Sequence, residues 1–127
     1  MPNRWLCKTE PTDYSFADLV KDKLTNWDGI KNALALIHLR KIRKGDEILI
    51  YHTGKEKAVV GIATAASDAK KDDTVDIAAV RALKNAVPLG EIRKNKKLKD
   101  LDLVRISRLS LMPVSRAQWS EILRLGR

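Results

Sequence analysis

Two histidines, His38 and His52, and one cysteine, Cys7, are the only residues of those types in this 127-residue chain. No pair among them has the spacing of a zinc site, so no structural metal is expected. Cys7 and His52 could form a nucleophile and its base. A strand cysteine buried as a small hydrophobe is the simpler reading of Cys7. The chain carries no G-x-S-x-G elbow, no P-loop and no dinucleotide fingerprint. Carboxylates are plentiful, yet no two are marked out as acid and base. The sequence therefore names no catalytic residue and implies no cofactor.

The six aromatic residues (three Trp, two Tyr and one Phe) offer a different chemistry. Trp27 stands in Asn26-Trp-Asp-Gly29, Tyr14 precedes a helix cap, and Tyr51-His52 ends a strand-like run. Aromatic faces beside polar turn residues suit an extruded nucleobase. Stacking contributes about 1–3 kcal/mol per base, and polar groups read the base edge. The simpler reading of each aromatic, taken singly, is core packing.

Charge points the same way. Lys and Arg number 25 against 16 Asp and Glu, a formal net charge of +9, which attracts phosphate or acidic lipid. The most biased segment is Glu91–Asp100 (EIRKNKKLKD), either a solvated face or a phosphate contact. With 44% hydrophobic residues the chain can bury a core as one domain spanning 1–127. A single cysteine forms no intrachain disulfide, which suggests a reducing, cytoplasmic setting. No apolar run approaches the roughly 20 residues of a membrane span, and the first ten residues lack a signal-peptide stretch. Secreted, transmembrane and disulfide-scaffold classes are thereby disfavoured.

The elements that must hold these residues follow from periodicity and punctuation. Alternation over residues 4–8 predicts a strand, ended by Glu10-Pro11. Ser15 is set to cap a helix beginning at Phe16, with Asp18 in its first turn. Asn26–Gly29 is turn chemistry, and 32–43 reads as a helix. A turn at Lys44–Asp46 leads to strand 48–52, a five-residue loop and strand 58–66, a hairpin. Gly61 within the second run signals a bulge or a close backbone approach. Residues 67–73 form a charged loop, 75–83 a third strand, 88–93 a short helix, and 103–111 one or two strands. Ser115 and Gln118 make a capping box for a terminal helix. The order β-α-α-β-β-β-α-β-α gives an α+β fold of five to six mostly antiparallel strands with flanking helices, a small closed or half-closed barrel.

At the level of motifs the chain resembles the EVE domain family. Trp5-Leu-Cys-Lys-Thr-Glu-Pro11 with Tyr14-Ser15 is similar to that family's W-L-x-K-S-E-P-x-x-Y-S opening. Trp27-Asp-Gly-Ile-Lys-Asn32 with Ala35 resembles W-D-G-V-R-N-x-x-A, and Lys44-Gly-Asp46 with Tyr51-His-Thr53 resembles K-V-G-D and F-Y-H-S. Val60-Gly-Ile62 and the ending Arg108-Leu-Ser110, Pro113-Val114 and Trp119 complete the series in family order. The resemblance implies a pseudo-barrel of the PUA superfamily. It also implies a non-catalytic reader that captures a modified base of DNA or RNA in an aromatic-lined pocket. The implied ligand-binding residues are Lys8, Thr9, Tyr14, Ser15, Trp27, Asn32, Tyr51 and His52.

Each carries a simpler alternative. Lys8 suits a solvated strand-end cation, Ser15 and Asn32 suit helix caps, His52 suits a satisfied structural histidine, and Trp27 suits packing on Pro11. Trp5 and Trp119 are assigned to the core. Four features depart from the family pattern. Thr9 and Thr53 replace serine but keep the hydroxyl. Lys31 replaces arginine and loses its bidentate fork. Met112 replaces glutamine, and the loop before Val75 is reduced to SDAKKDDT, which bears on ligand choice. The expected partner is nucleic acid, with no membrane, bound by a monomer or weak dimer. Two other classes stay open at this point: an enzyme acting on a nucleotide or modified base, and a small-molecule sensor or interaction module.

Overall fold

Trp5, Leu6 and Cys7 are consecutive apolar residues, and such a run is stable in a strand covered on both faces. In the computed structural model, which describes residues 2–127, all three are buried in the middle of β1 (Arg4–Thr9). β1 pairs in parallel with β3 (Glu47–His52) and antiparallel with β6 (Leu111–Pro113). On the far side of β3 follow β4 (Ala58–Ala65), β5 (Val75–Pro88) and the edge strand β2 (Leu24–Trp27), each antiparallel to its neighbour. The order β2-β5-β4-β3-β1-β6 is one six-stranded sheet. It is mixed but mostly antiparallel, and curls into a half-barrel flanked by helices. The β1–β3 register sets Lys8 beside Tyr51 and Thr9 beside His52, residues more than forty positions apart in the chain.

The helices are α1 (Phe16–Asp22), α2 (Ala33–Leu39), α3 (Leu89–Lys94), α4 (Asp102–Arg105) and α5 (Arg116–Leu125). α1 begins with a closed capping box. The Ser15 hydroxyl accepts from the Asp18 amide at 3.0 Å, and the Asp18 carboxylate accepts from the Ser15 amide at 2.9 Å. Ser115 and Gln118 close the same box on α5 at 3.1 and 2.8 Å. The Lys44-Gly-Asp turn has a structural purpose. Gly45 adopts φ +94°, and the buried Asp46 carboxylate accepts from the Asn3 amide, the Arg43 amide and the Trp5 indole at 2.9–3.0 Å.

Gly61 fulfils both readings of a glycine within a strand. The β4–β5 register shifts beside it, and a Cβ there would meet three carbons of the Phe16 ring at 2.5–2.6 Å. α1 is thus seated directly on the β4 backbone.

Four elements differ from expectation. Residues 103–111 are mainly α4 and a turn, with only the last starting β6, because Leu101, Leu103, Leu109 and Leu111 all reach the core from a tightly wound segment. The helix expected over 32–43 stops at Leu39, and a turn carries Ile42 into the core. Asn26-Trp27 is the end of edge strand β2, not a turn, because Trp27 pairs with Val75 of β5. β5 runs on past Leu83 to Pro88, sustained by its ladder to β4.

Candidate functional site

The turn after β1 and the edge strand β2 enclose an open cleft of about 480 Å³. Four of the residues singled out from the sequence line it: Lys8, Thr9, Tyr14 and Trp27. The turn is tightly knotted. Thr9 donates its hydroxyl hydrogen to the Tyr14 carbonyl at 2.6 Å, and the Glu10 carbonyl accepts from the Asp13 and Tyr14 amides at 2.9 Å. The Glu10 carboxylate accepts from the Thr12 amide and hydroxyl, while Gly54, at φ +75°, approaches so closely that a Cβ would collide with that carboxylate. Tyr14 is held in turn, its hydroxyl donating to Asp22 at 2.9 Å. Burial, and then the Asp22 carboxylate, push the Tyr14 phenol above its usual range.

Trp27 is half-buried and meets Tyr14 edge-on, with ring centroids 6.0 Å apart and planes at 84°. Two rings at a right angle make an apolar corner for a planar ligand. The remaining walls are polar: Glu10, Asp13, Thr25, Asn26 and Asp28. The Asn26 amide donates to Thr74 at 2.9 Å and to Asp76 at 3.1 Å, tying β2 to the short loop before β5. No residue of that loop lines the cleft.

Lys8 also lines a second cavity, of about 260 Å³, shared with Tyr51, Thr53, Lys57, Arg93 and Ser107. Its ammonium donates to the Ser107 carbonyl at 2.9 Å and lies 5.9 Å from the centre of the Tyr51 ring. Burial lowers the Lys8 pKa and raises that of Tyr51, the latter opposed by the nearby Arg93 charge. The two cavities thus differ in sign. Three carboxylates face Lys8 in the first, whereas the second holds Lys8, Lys57 and Arg93 with no carboxylate.

Three further sequence-selected residues line neither cavity. Ser15 and Asn32 are helix caps, the Asn32 side chain accepting from the Ala35 amide at 3.0 Å. His52 is buried. Its Nε2 accepts from the Phe16 amide at 2.9 Å, so that nitrogen bears the lone pair. The proton then sits on Nδ1, which donates to Glu56 at 2.7 Å. Both ring nitrogens are thus engaged, Nε2 in anchoring α1 to β3 and Nδ1 on the β3–β4 loop, and neither is free to act on a ligand. His38 lies on α2 against Trp5, 6.2 Å between ring centroids. Among the described residues, no cluster of three or more His, Cys, Asp or Glu side chains is placed to hold a metal ion. No helix among them is long and apolar enough to cross a membrane.

Asp13, Asp28, Lys57 and Arg93 line the cavities but were not singled out from the sequence. The two aspartates read as turn formers, Lys57 as part of a hairpin loop, and Arg93 as one member of a basic run.

Comparison with known proteins agrees with this fold. The family model of the EVE domain matches residues 3–125. Human thymocyte nuclear protein 1 is 26% identical, the match covering 98% of this chain and 74% of that protein. The crystal structure of Atu2648 from Agrobacterium tumefaciens superposes with a TM-score of 0.94 at 31% identity, over 98% of this chain and 92% of the other. Human THYN1, solved in complex with DNA containing 5-methylcytosine, superposes with a TM-score of 0.86 at 26% identity, over 98% of each chain.

Proposed function

The chain belongs to the EVE domain family, and from that premise we propose that it is a non-catalytic reader of a modified base in nucleic acid. One base, extruded from its strand, enters the cleft and stacks in the corner made by Trp27 and Tyr14. The observation that carries this reading is that right-angled aromatic pair in a cleft walled by hydrogen-bonding groups. The solved complex of human THYN1 with 5-methylcytosine DNA makes that base the first to test.

The cleft's polarity favours a base edge that donates. Among the described side chains, the Asp13 and Asp28 carboxylates accept no hydrogen bond from the protein. Each could accept from an exocyclic amine such as cytosine N4, a pairing that thymine, with O4 at the same position, refuses. The cleft, open and about 480 Å³ in volume, has room for a substituent on the ring. Thr9 and Glu10 serve as scaffold, because their polar atoms already hold the turn. His52 is committed to Phe16 and Glu56, and Cys7 is sealed in β1, so neither supplies the cleft with a base or a nucleophile.

Tryptophan fluorescence tests this directly. Trp5 and Trp119 are buried, so a stacked base quenches Trp27. Short oligonucleotides with plain cytosine, 5-methylcytosine or thymine, in DNA and RNA, are titrated into wild type and Trp27→Ala, the variant followed by anisotropy. A modified cytosine should bind best, and Trp27→Ala should lose about 1–3 kcal/mol, or 5- to 150-fold. Binding that ignores both the modification and Trp27 would overturn the reading.

A further inference from the structure

We propose that the second cavity is a phosphate site, which holds a backbone phosphate of the strand whose base occupies the Trp27 cleft. The proposal rests on the base-reading function above, and its test separates the two. Three cations converge on this cavity from three elements: Lys8 from β1, Lys57 from the β3–β4 loop and Arg93 from α3. Among the described residues, none of the three forms an ion pair, although six other pairs are made. No carboxylate lines the cavity to neutralise them. Unpaired cations gathered around one concavity repel each other, and an anion between them relieves that repulsion.

The chemistry of the walls suits a phosphate. Lys8 spends one of its three N–H donors on the Ser107 carbonyl, which leaves two for a ligand and fixes the ammonium in place. Arg93 offers the planar fork that matches two phosphate oxygens. The Lys57 backbone, at φ +48°, is pinned by its carbonyl accepting from the Leu89 amide at 2.8 Å, which locates the hairpin loop at the rim. Lys8 belongs to both cavities, so they adjoin, and a base in one brings its own strand to the other. The acidic cleft cannot take the phosphate itself.

The test compares Lys57→Gln/Arg93→Gln with wild type. A charge control, Lys21→Gln/Lys41→Gln, removes two exposed lysines that line neither cavity. The probes are 5-methyl-2′-deoxycytidine, its 3′,5′-bisphosphate, a methylcytosine oligonucleotide, and an abasic strand that has phosphates but lacks the base. The bisphosphate should bind wild type about tenfold or more tighter than the nucleoside at low salt. The Lys57/Arg93 variant should lose that increment while holding the nucleoside as wild type does. Its salt slope with the oligonucleotide should fall by about one relative to the control. The abasic strand should shift the Tyr51, Thr53 and Ser107 amide resonances in wild type and in Trp27→Ala, but not in Lys57→Gln/Arg93→Gln. That result sustains the phosphate site even where base recognition fails. Equal bisphosphate affinity, salt slope and abasic-strand shifts in the Lys57/Arg93 variant and the control would overturn it, and would leave the base-reading proposal standing.

Discussion

Gly61→Ala provides a test of how the base cleft is held. The added Cβ would lie 2.5–2.6 Å from three carbons of the Phe16 ring, about 1 Å inside normal contact. Phe16 is buried, and its amide is bonded to His52, so the ring cannot retreat without moving the start of α1. Overpacking of this kind costs about 1–3 kcal/mol. Replacing a strand glycine returns about 0.5–1 kcal/mol of backbone entropy, so the net loss should be about 0–2.5 kcal/mol. In a Phe16→Leu background the obstructing ring is gone, and the same substitution should stabilise by about 0.5–1 kcal/mol. The coupling energy of the cycle is then about 1–3 kcal/mol. Urea denaturation followed by tryptophan fluorescence resolves it, since each kcal/mol moves the midpoint by about 0.3–1 M. Because Tyr14 lies two residues before Phe16, Gly61→Ala should also weaken base binding. An equal cost of Gly61→Ala with and without the Phe16 ring would refute the account and place the strain in the β4 backbone at the register shift.

Two other predictions concern buried polar groups. Arg124, and then Asn95, hold the Glu121 carboxyl at about 2, below its ordinary 4.5. A depressed carboxyl stabilises the fold above its unfolded pKa, and that contribution fades as pH falls from about 4.5 towards 2. Glu121→Gln should therefore flatten the acid limb of a Tm-against-pH curve in that window, and an unchanged limb would refute the assignment. Asp46→Asn should lower the unfolding free energy measured in urea by about 1–3 kcal/mol for each donor it leaves without an acceptor, the Trp5 indole and the Arg43 amide being the candidates. Trp5→Phe should cost less in that background than in wild type, and equal costs would show that the indole bond contributes nothing.

Local patterns were legible in the sequence wherever short-range physics decides the outcome. The Ser15 and Ser115 caps and the β1 strand follow from neighbours within a few residues, whereas Gly61 signalled a close approach without revealing that Phe16, distant in the chain, makes it. Residues 103–111 misled because apolar alternation there serves a winding segment whose leucines reach the core individually. Trp27 read as a turn residue because the partner that makes it a strand, Val75, lies 48 positions away. The site divides in the same manner. Lys8, Thr9 and Tyr14 line the cleft beside Trp27, as expected of one contiguous turn. Tyr51 faces the other cavity, and Ser15, Asn32 and His52 spend their polar atoms on helix ends, the simpler role each type allows. The convergence of Lys57 and Arg93 on Lys8 depends on the β1–β3 register and the docking of α3, which no local pattern encodes.

The formal charge of +9 does not explain recognition. Screening confines each exposed charge to about 8–10 Å at physiological salt, so cations elsewhere on the surface attract nucleic acid without orienting it. Orientation requires charges of opposite sign at short range, and the chain places them on either side of one lysine. A phosphate entering the Trp27 cleft would meet Glu10, Asp13 and Asp28; a base entering the second cavity would crowd three cations and find no carboxylate. On the proposed reading each wrong placement is unfavourable independently of how well the right one fits, a route to specificity without high affinity. Lys8 is the residue common to both cavities, and its tether to Ser107 fixes the ammonium where they meet.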